Sequence, residues 1–133
     1  MSVLINIDVP DLSRALAFYT HAFDLTVRRR FGSLGAELAG WPVPVFLLEK
    51  PEGTIGAAND ARRYTRHWTP VHLDVVVENI EAAVVRAVAA GAVVEHPVRV
   101  AVWGKITVVA DPFGHGLCLI EFLNRGYDEV ADA

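Results

Sequence analysis

The 133-residue sequence has a single cysteine, few basic residues and no long apolar run. One cysteine excludes an intrachain disulfide and is typical of a reducing compartment, so we expect a cytoplasmic protein. Twelve Lys and Arg against sixteen Asp and Glu give a net charge of -4. This balance argues against nucleic-acid binding, because phosphate backbones require clustered cations. We also expect no signal peptide, because the start lacks a basic segment followed by a long apolar stretch. No membrane span is expected, because no apolar run approaches the ~20 residues of a spanning helix.

The composition is that of a folded protein. Apolar residues make up 53% of the chain and charged residues 21%, which is enough apolar side chain for a sizeable core. The length is near that of one ordinary domain. We therefore predict a single domain over residues 1–133.

The sequence contains an internal repeat in which Asp11 and Asn79 occupy equivalent positions, 68 residues apart. Before each of them the pattern alternates, as in a half-buried strand, and after each it takes the period of an amphipathic helix. Asp and Asn are good N-cap residues because their side chains accept a first-turn N–H bond. Gly91 follows the second helical pattern as a left-handed C-cap. Each repeat is thus predicted to begin strand, cap, helix.

The period returns to two after each predicted helix, which indicates further strands. In the first repeat they are predicted over 25–31, 34–38 and 43–50, and in the second over 92–95, 98–102, 106–110 and 117–122. The repeats cover 3–50 and 71–122, and the polar segment 51–70, which has no clear period, is predicted to be a connector. The result is an α+β fold of two βαβββ units. Placed side by side, two such units form a curved half-barrel around a central cavity of the kind that binds small molecules.

Two motifs carry a family resemblance. The first repeat opens with Val9-Pro10-Asp11-Leu12, and the second ends with the turn 111–115, Asp-Pro-Phe-Gly-His. On paired βαβββ units these motifs resemble the vicinal oxygen chelate superfamily, which includes glyoxalase I, bleomycin-binding resistance proteins, fosfomycin-resistance enzymes and extradiol dioxygenases. The resemblance implies a glyoxalase-like fold and a homodimer. It does not choose among the activities, because fold does not determine function.

The resemblance also implies where a divalent metal would be held, with His and Glu ligands on the first and last strand of each unit. The first-strand positions are His72 in the second repeat and Leu4 in the first, and Leu4 cannot be a ligand. The last-strand positions are Cys118 in the second repeat and Leu47 in the first, or Glu49 if the strand is shifted by two. The candidate ligands are therefore His72, Cys118 and Glu49. Because this set is smaller than the four ligands that the resemblance implies, we expect no resident metal cofactor. A bound divalent metal is the alternative.

Strand alternation predicts which side chains line the cavity. Asn6, His72 and Asp74 are expected as polar points on a mostly apolar surface, with the Trp103 ring near the mouth. Either Asn6 and Asp74 pair with each other or with His72, or they bind a ligand, because buried polar groups need partners. The complete set of predicted ligand-binding residues is Asn6, Leu47, Glu49, His72, Asp74, Trp103 and Cys118.

Three functions remain open at this stage. We predict a small-molecule-binding protein of the glyoxalase and bleomycin-resistance type with a degenerate metal site. The alternative is a metal-dependent lyase, isomerase or dioxygenase of the same superfamily. A third possibility is a scaffold protein with a vestigial cavity. Partners are expected to be a small molecule and a second copy of the chain.

Overall fold

The computed structural model describes residues 1–133, which divide into two compact units, Met1–Thr65 and Arg66–Ala133. The elements of the first unit are β1 Ile5–Val9, α1 Leu12–Phe23, β2 Thr26–Phe31, β3 Gly35–Ala39, β4 Val45–Glu49, β5 Ile55–Ala57 and β6 Asp60–Ala61. Those of the second unit are β7 Leu73–Val76, α2 Ile80–Ala90, β8 Val93–Ala101, β9 Gly104–Ala110 and β10 Gly116–Phe122, followed by a 3₁₀ turn, Gly126–Glu129. Neither α-helix has the length and apolar content needed to cross a membrane.

Both units contain a four-stranded sheet with the same strand order. The first sheet runs β1-β4-β3-β2 and the second β7-β10-β9-β8. In each, the strand before the helix pairs in parallel with the last strand, and the other pairs are antiparallel. The predicted α+β class and the two βαβββ units are confirmed. A cavity formed jointly by the two units stays a prediction.

Helix caps position each helix on its sheet. The Asp11 side chain accepts a hydrogen bond from the Arg14 backbone N–H at 3.0 Å, and Asn79 accepts one from the Ala82 N–H at 2.9 Å. Gly91 ends α2 in the left-handed region at a φ of +119°, a conformation that L side chains rarely adopt. The caps predicted from the repeat are therefore confirmed.

A second bond, not predicted, ties each helix to the last strand of its sheet. The Glu49 carboxylate accepts a hydrogen bond from the Leu12 N–H at 2.8 Å, and the Glu121 carboxylate accepts one from the Ile80 N–H at 2.9 Å. These donors belong to the first helical turn, where backbone N–H groups have no partner within the helix. A carboxylate here also interacts favourably with the positive end of the helix dipole.

The connector contains a small antiparallel hairpin formed by β5 and β6, which was not predicted. The structure corrects one prediction of strands. Segments 92–95 and 98–102 are not separate strands but parts of one strand, β8, whose pairing with β9 is interrupted twice by bulges. Pro97, which has no N–H to donate, lies between them and gave the appearance of a strand boundary.

Candidate functional site

Each sheet has one face covered by its helix and one face turned away from it, which we call the open face. In the second sheet the helix-covered face holds the buried Leu117 and Leu119, together with Glu121 at the start of α2. Alternation places the neighbouring residues of β10 on the open face. The strand register adds their partners, so that the open face of the second sheet carries Asp74, Cys118, Ile120, Ile106 and Val108.

Three side chains with potential metal-ligand atoms meet on this face: His72, Asp74 and Cys118. Their ligand atoms all lie within 4.8 Å of one another. Asp74 and Cys118 are directly paired across β7 and β10, and His72 lies two residues before Asp74, on the same face. His72 Nδ1 lies 3.0 Å from Asp74 Oδ1. The predicted His72 and Cys118 are thus brought together, with Asp74 between them.

Asp74 is the centre of the cluster. A carboxylate only accepts hydrogen bonds, so the imidazole donates through Nδ1–H, and in the neutral ring Nε2 is then an acceptor. The Cys118 thiol also donates to Asp74. Burial, the negative charge of Asp74 and this hydrogen bond together raise the pKa of Cys118 to about 11. The thiol therefore holds its proton at neutral pH, which argues against a nucleophilic role, since the thiolate is the reactive form.

The donor set fits zinc in part. Imidazole nitrogen, thiolate sulfur and carboxylate oxygen are all zinc ligands, and catalytic zinc sites keep three protein ligands with one open position. Two features oppose binding: the thiol must lose its proton at a raised pKa, and both hydrogen bonds to Asp74 must be broken. His72 and Asp74 are also exposed to solvent.

The cluster continues across the sheet into a cavity. Asp74 pairs with Cys118, Cys118 with Val108 and Val108 with His96, which makes a row of four side chains across β7, β10, β9 and β8. At the β8 end of this row lies a cavity of about 400 Å³, lined by residues 96–99 and 106–108. Neither His96 nor Arg99 was among the residues predicted from sequence. Pro97 within an apolar run was the available signal, because a proline there indicates a bulge that changes the facing of its neighbours.

The first sheet carries different chemistry at the equivalent positions. Its row runs from Asn6 through Phe46 and Glu37 to Arg29. Leu4 is exposed, and Phe46 stands where the second sheet has Cys118. Asn6 is exposed on the open face, but the first unit supplies no cluster like that of the second.

Leu47 and Glu49 are corrected by the register. Leu47 pairs with Ile7, is 0% exposed and belongs to the core beneath α1, so it lines no open face. Glu49 pairs with Val9, and its carboxylate accepts the hydrogen bond from the Leu12 N–H, so it is directed at the start of α1. The prediction misplaced the last strand of the first repeat by one residue, and every side chain changes face with such a slip. Comparing Phe46-Leu47-Leu48-Glu49 with Cys118-Leu119-Ile120-Glu121 would have aligned the repeats correctly.

Trp103 lies at the other end of β10 from Cys118. Its ring packs against Tyr127 of the 3₁₀ turn and Phe122, with centroid separations of 5.0 and 6.4 Å. Phe122 lies four positions along the strand from Cys118, a distance of roughly 13 Å. Trp103 is therefore part of an aromatic cluster at the β8–β9 turn rather than of the site around Asp74.

The Asp111–His115 turn has a structural role. Asp111 Oδ1 accepts hydrogen bonds from the backbone N–H groups of Phe113 and His115, both at 2.9 Å. His115 Nδ1 lies 2.7 Å from the second carboxylate oxygen. The motif fixes the turn into β10, and thereby the position of Cys118.

Comparison with known proteins shows which domain family and which solved structures this chain resembles. Residues 4–120 match the family model of the glyoxalase-like domain. No curated protein matches the chain. Among solved structures, TioX from Micromonospora sp. ML1 has a TM-score of 0.70 at 20% identity, over 92% of this chain and 99% of that one.

Two further structures have the same fold. A glyoxalase/bleomycin resistance protein/dioxygenase family enzyme from Burkholderia phytofirmans PsJN gives a TM-score of 0.70 at 15% identity, over 90% of this chain and 97% of that one. A mutant of the fosfomycin resistance protein FosX from Listeria monocytogenes gives 0.69 at 18% identity, over 96% and 95%. That mutant was crystallised with Mn(II) and 1S,2S-dihydroxypropylphosphonic acid. At these identities the likeness establishes the fold alone.

Proposed function

We propose that this chain, which belongs to the glyoxalase-like domain family, binds a small organic molecule on the open face of its second sheet. The observation that carries the proposal is the row from Asp74 to His96, which joins the polar cluster of His72, Asp74 and Cys118 to a cavity of about 400 Å³. Cavities of this size with a few convergent polar groups are typical of small-molecule sites. The free Nε2 of His72 supplies one directional acceptor at the edge of this surface.

The hydrogen bonding of the cluster supports binding without a metal. The Asp74 carboxylate already accepts hydrogen bonds from the His72 imidazole and from the protonated Cys118 thiol, so its acceptor capacity is used without a metal. A divalent cation at this cluster would meet a protonated thiol and a carboxylate already engaged by His72, so it would exchange its hydration shell for weak ligands.

A metal-dependent lyase, isomerase or dioxygenase is the second candidate. Two observations favour it: the three ligand atoms within 4.8 Å, and a neighbour of the same fold, FosX, crystallised with Mn(II). His72, Asp74 and Cys118 would hold the ion. When bound, a divalent ion supplies Lewis-acid polarisation of a substrate oxygen. In that case the neighbouring cavity would position the substrate.

Cobalt binding separates the two candidates. The protein is stripped with chelator, incubated with Co²⁺, freed of excess ion and assayed for metal per chain and for the sulfur-to-cobalt charge-transfer band. We expect no stoichiometric cobalt in the wild type. About one ion per chain, lost in both His72→Ala and Cys118→Ser but kept in Asn6→Ala, would establish the metal-dependent candidate instead. Asn6→Ala is the matched control because Asn6 occupies the position of Asp74 in the first repeat.

Binding itself is tested on the chelator-treated protein with a library of small acids, amides and alcohols. Backbone amide shifts on ¹⁵N-labelled protein locate each bound compound. We expect the perturbed amides to cluster on β7, β10 and β9, and His72→Ala to weaken the compounds that shift β7. Perturbations confined to the first unit would contradict the proposal.

We also propose a cytoplasmic homodimer. The strands β1 and β7 each form one edge of their sheet. The exposed apolar Leu4 directly precedes β1, and the exposed apolar Val76 ends β7. Sheet edges are sites of pairing between chains. Light scattering at micromolar concentration tests this: a monomeric mass would contradict it.

A further inference from the structure

The cavity at the β8 end of the row owes its shape to two bulges. Val94 pairs with Val109 and His96 with Val108, so Glu95 is an extra residue on β8. His96 pairs with Val108 and Arg99 with Ile106, so a second extra residue lies between them. Residues three apart on a regular strand point to opposite faces, and one extra residue restores them to the same face. His96 and Arg99 therefore both lie on the open face, over the apolar pair Ile106 and Val108.

A buried hydroxyl stabilises this arrangement. Thr107 is 2% exposed, and its Oγ1 donates a hydrogen bond to the His96 carbonyl oxygen. A bulge removes ladder partners from the bulged strand, and an unpaired backbone carbonyl is costly when buried. The Thr107 bond supplies the missing partner and fixes the backbone at His96.

Of the polar side chains that line the cavity, Thr107 is hydrogen-bonded to the His96 carbonyl, whereas Arg99 and His96 have no partner within the chain. Seven of the Lys and Arg side chains form ion pairs with carboxylates, but the Arg99 guanidinium makes no ion pair or hydrogen bond. The His96 ring is likewise without a hydrogen bond, whereas the neighbouring Glu95 is bound by Arg66. No acidic residue lines the cavity. In a chain of net charge -4 this cavity is locally positive, above an apolar floor.

We infer that this cavity binds a small organic oxyanion, a carboxylate or a phosphonate, with its charged end on Arg99 and His96 and its apolar body on Ile106 and Val108. A guanidinium offers two parallel N–H donors that match an oxyanion, and a neutral imidazole can add a third. Because Val108 is also the neighbour of Cys118 in the row, the body of the molecule lies toward the cluster of the proposed small-molecule site. The inference rests on that proposed function and names the class of its ligand.

Three aryl compounds test the charge requirement on chelator-treated protein. Phenylacetate and phenylphosphonate are the anionic probes, and phenylacetamide is the neutral probe of nearly the same shape. Calorimetric or NMR titration is expected to give saturable binding of at least one anion, about ten-fold or more tighter than the amide. The affinity of the anion, but not of the amide, should fall as sodium chloride is raised. The tighter anion identifies carboxylate or phosphonate as the preferred head group.

Variants locate the binding. Arg99→Gln is expected to weaken the anion about ten-fold or more and to leave the amide unchanged, and His96→Gln to weaken it less. The matched control is Arg30→Gln, since Arg30 in the first unit is also exposed and without an ion pair; its affinity should stay within about two-fold of wild type. Thr107→Val, which keeps the volume but removes the hydroxyl, should weaken the anion through the bulge. Because Arg99 is exposed, loss of folding does not confound its substitution, and a thermal melt checks this.

The results distinguish a failure of the oxyanion inference from a failure of the proposed small-molecule site. Equal affinity for anion and amide, or an Arg99→Gln affinity within two-fold of wild type, would overturn the oxyanion inference. If the probes then still shift β7 and β10 in a His72-dependent manner, the proposed small-molecule site stands without it. Anion binding that depends on Arg99 but not on His72 supports the inference and limits the site to the cavity.

Discussion

The two units share the helix-covered half of their sheets and differ on the open half. On the covered side, Glu49 and Glu121 occupy the same place and accept the same first-turn N–H bond. On the open side, the carboxylates of the first unit are held by arginines, Glu37 by Arg28 and Arg29 and Asp8 by Arg62. The Asp74 carboxylate of the second unit is held by an imidazole and a thiol. Packing and capping restrict the covered face, because a core tolerates few changes in volume. The open face is free to diverge, and the proposed site lies there.

The largest expected effect tests the covered face. Leu47→Ala should lower the free energy of unfolding by about 2–5 kcal/mol, because it leaves a cavity in a fully buried position, and Leu119→Ala in the second unit should cost a similar amount. Urea denaturation measures both. The neighbouring Leu48→Ala, at a partly exposed position, is the control and should cost less. Equal losses at 47 and 48 would mean that Leu47 does not face the core.

The helix tie should be worth less. Glu49→Ala removes the acceptor of the Leu12 N–H bond and is expected to cost about 1–2 kcal/mol of unfolding free energy. Glu49→Gln keeps an acceptor oxygen and should recover much of the loss. Glu121→Ala and Glu121→Gln in the second unit should behave in the same way. A Gln variant as unstable as the Ala variant would indicate that the charge, rather than the hydrogen bond, provides the stabilisation.

How far the sequence reveals this molecule depends on how local each interaction is. The caps Asp11 and Asn79 act on residues three positions away, so their role was predictable from the sequence. The partner of β1 lies some forty residues on, and the segments between first and last strand differ in length in the two repeats. Counting along the chain therefore misplaced Leu47, although the shared Leu-x-Glu ending carried the register.

The sequence predicted the cluster at the β7 end of the proposed site but not the two residues at its β8 end. His72 and Cys118 follow from the family resemblance, and Asp74 from strand alternation. The positions of His96 and Arg99 depend on two bulges, whose pairing is a property of β9 as much as of β8. Only Pro97 signalled them, and a proline marks an irregularity without giving its direction.

Acid should destabilise the first unit through Glu37 on its open face. The Arg29 hydrogen bond, together with the charges of Arg29 and Arg28, lowers the pKa of the Glu37 carboxyl. A carboxyl with a lowered folded-state pKa stabilises the protein above its unfolded pKa, and this stabilisation is lost as the pH falls through the folded value. We expect the free energy of unfolding to decline below about pH 4.5. Glu37→Gln should remove part of this decline, and Glu52→Gln, at an exposed position outside any ion pair, should not. An unchanged acid slope in Glu37→Gln would contradict the assignment.

The smallest effect on stability, and the most specific to the second unit, concerns the thiol. Cys118 is the only cysteine, so a thiol-reactive probe such as 5,5′-dithiobis(2-nitrobenzoate) reports on it alone. Its pKa is raised to about 11 by burial first and by Asp74 second. At pH 8 roughly one molecule in a thousand then carries the reactive thiolate, so labelling of the folded protein should be slow and should rise steadily toward pH 11.

Asp74→Asn removes the negative charge and weakens the acceptor. It should lower the pKa and speed labelling at pH 8 several-fold, but burial keeps the rate below that of the chain unfolded in guanidinium. Asn6→Ala, at the same place in the first repeat, should leave the labelling rate unchanged. A wild-type profile with its midpoint near 9, or one indifferent to Asp74→Asn, would mean that the thiol and the carboxylate are not coupled. The two open faces would then differ less than their geometry indicates.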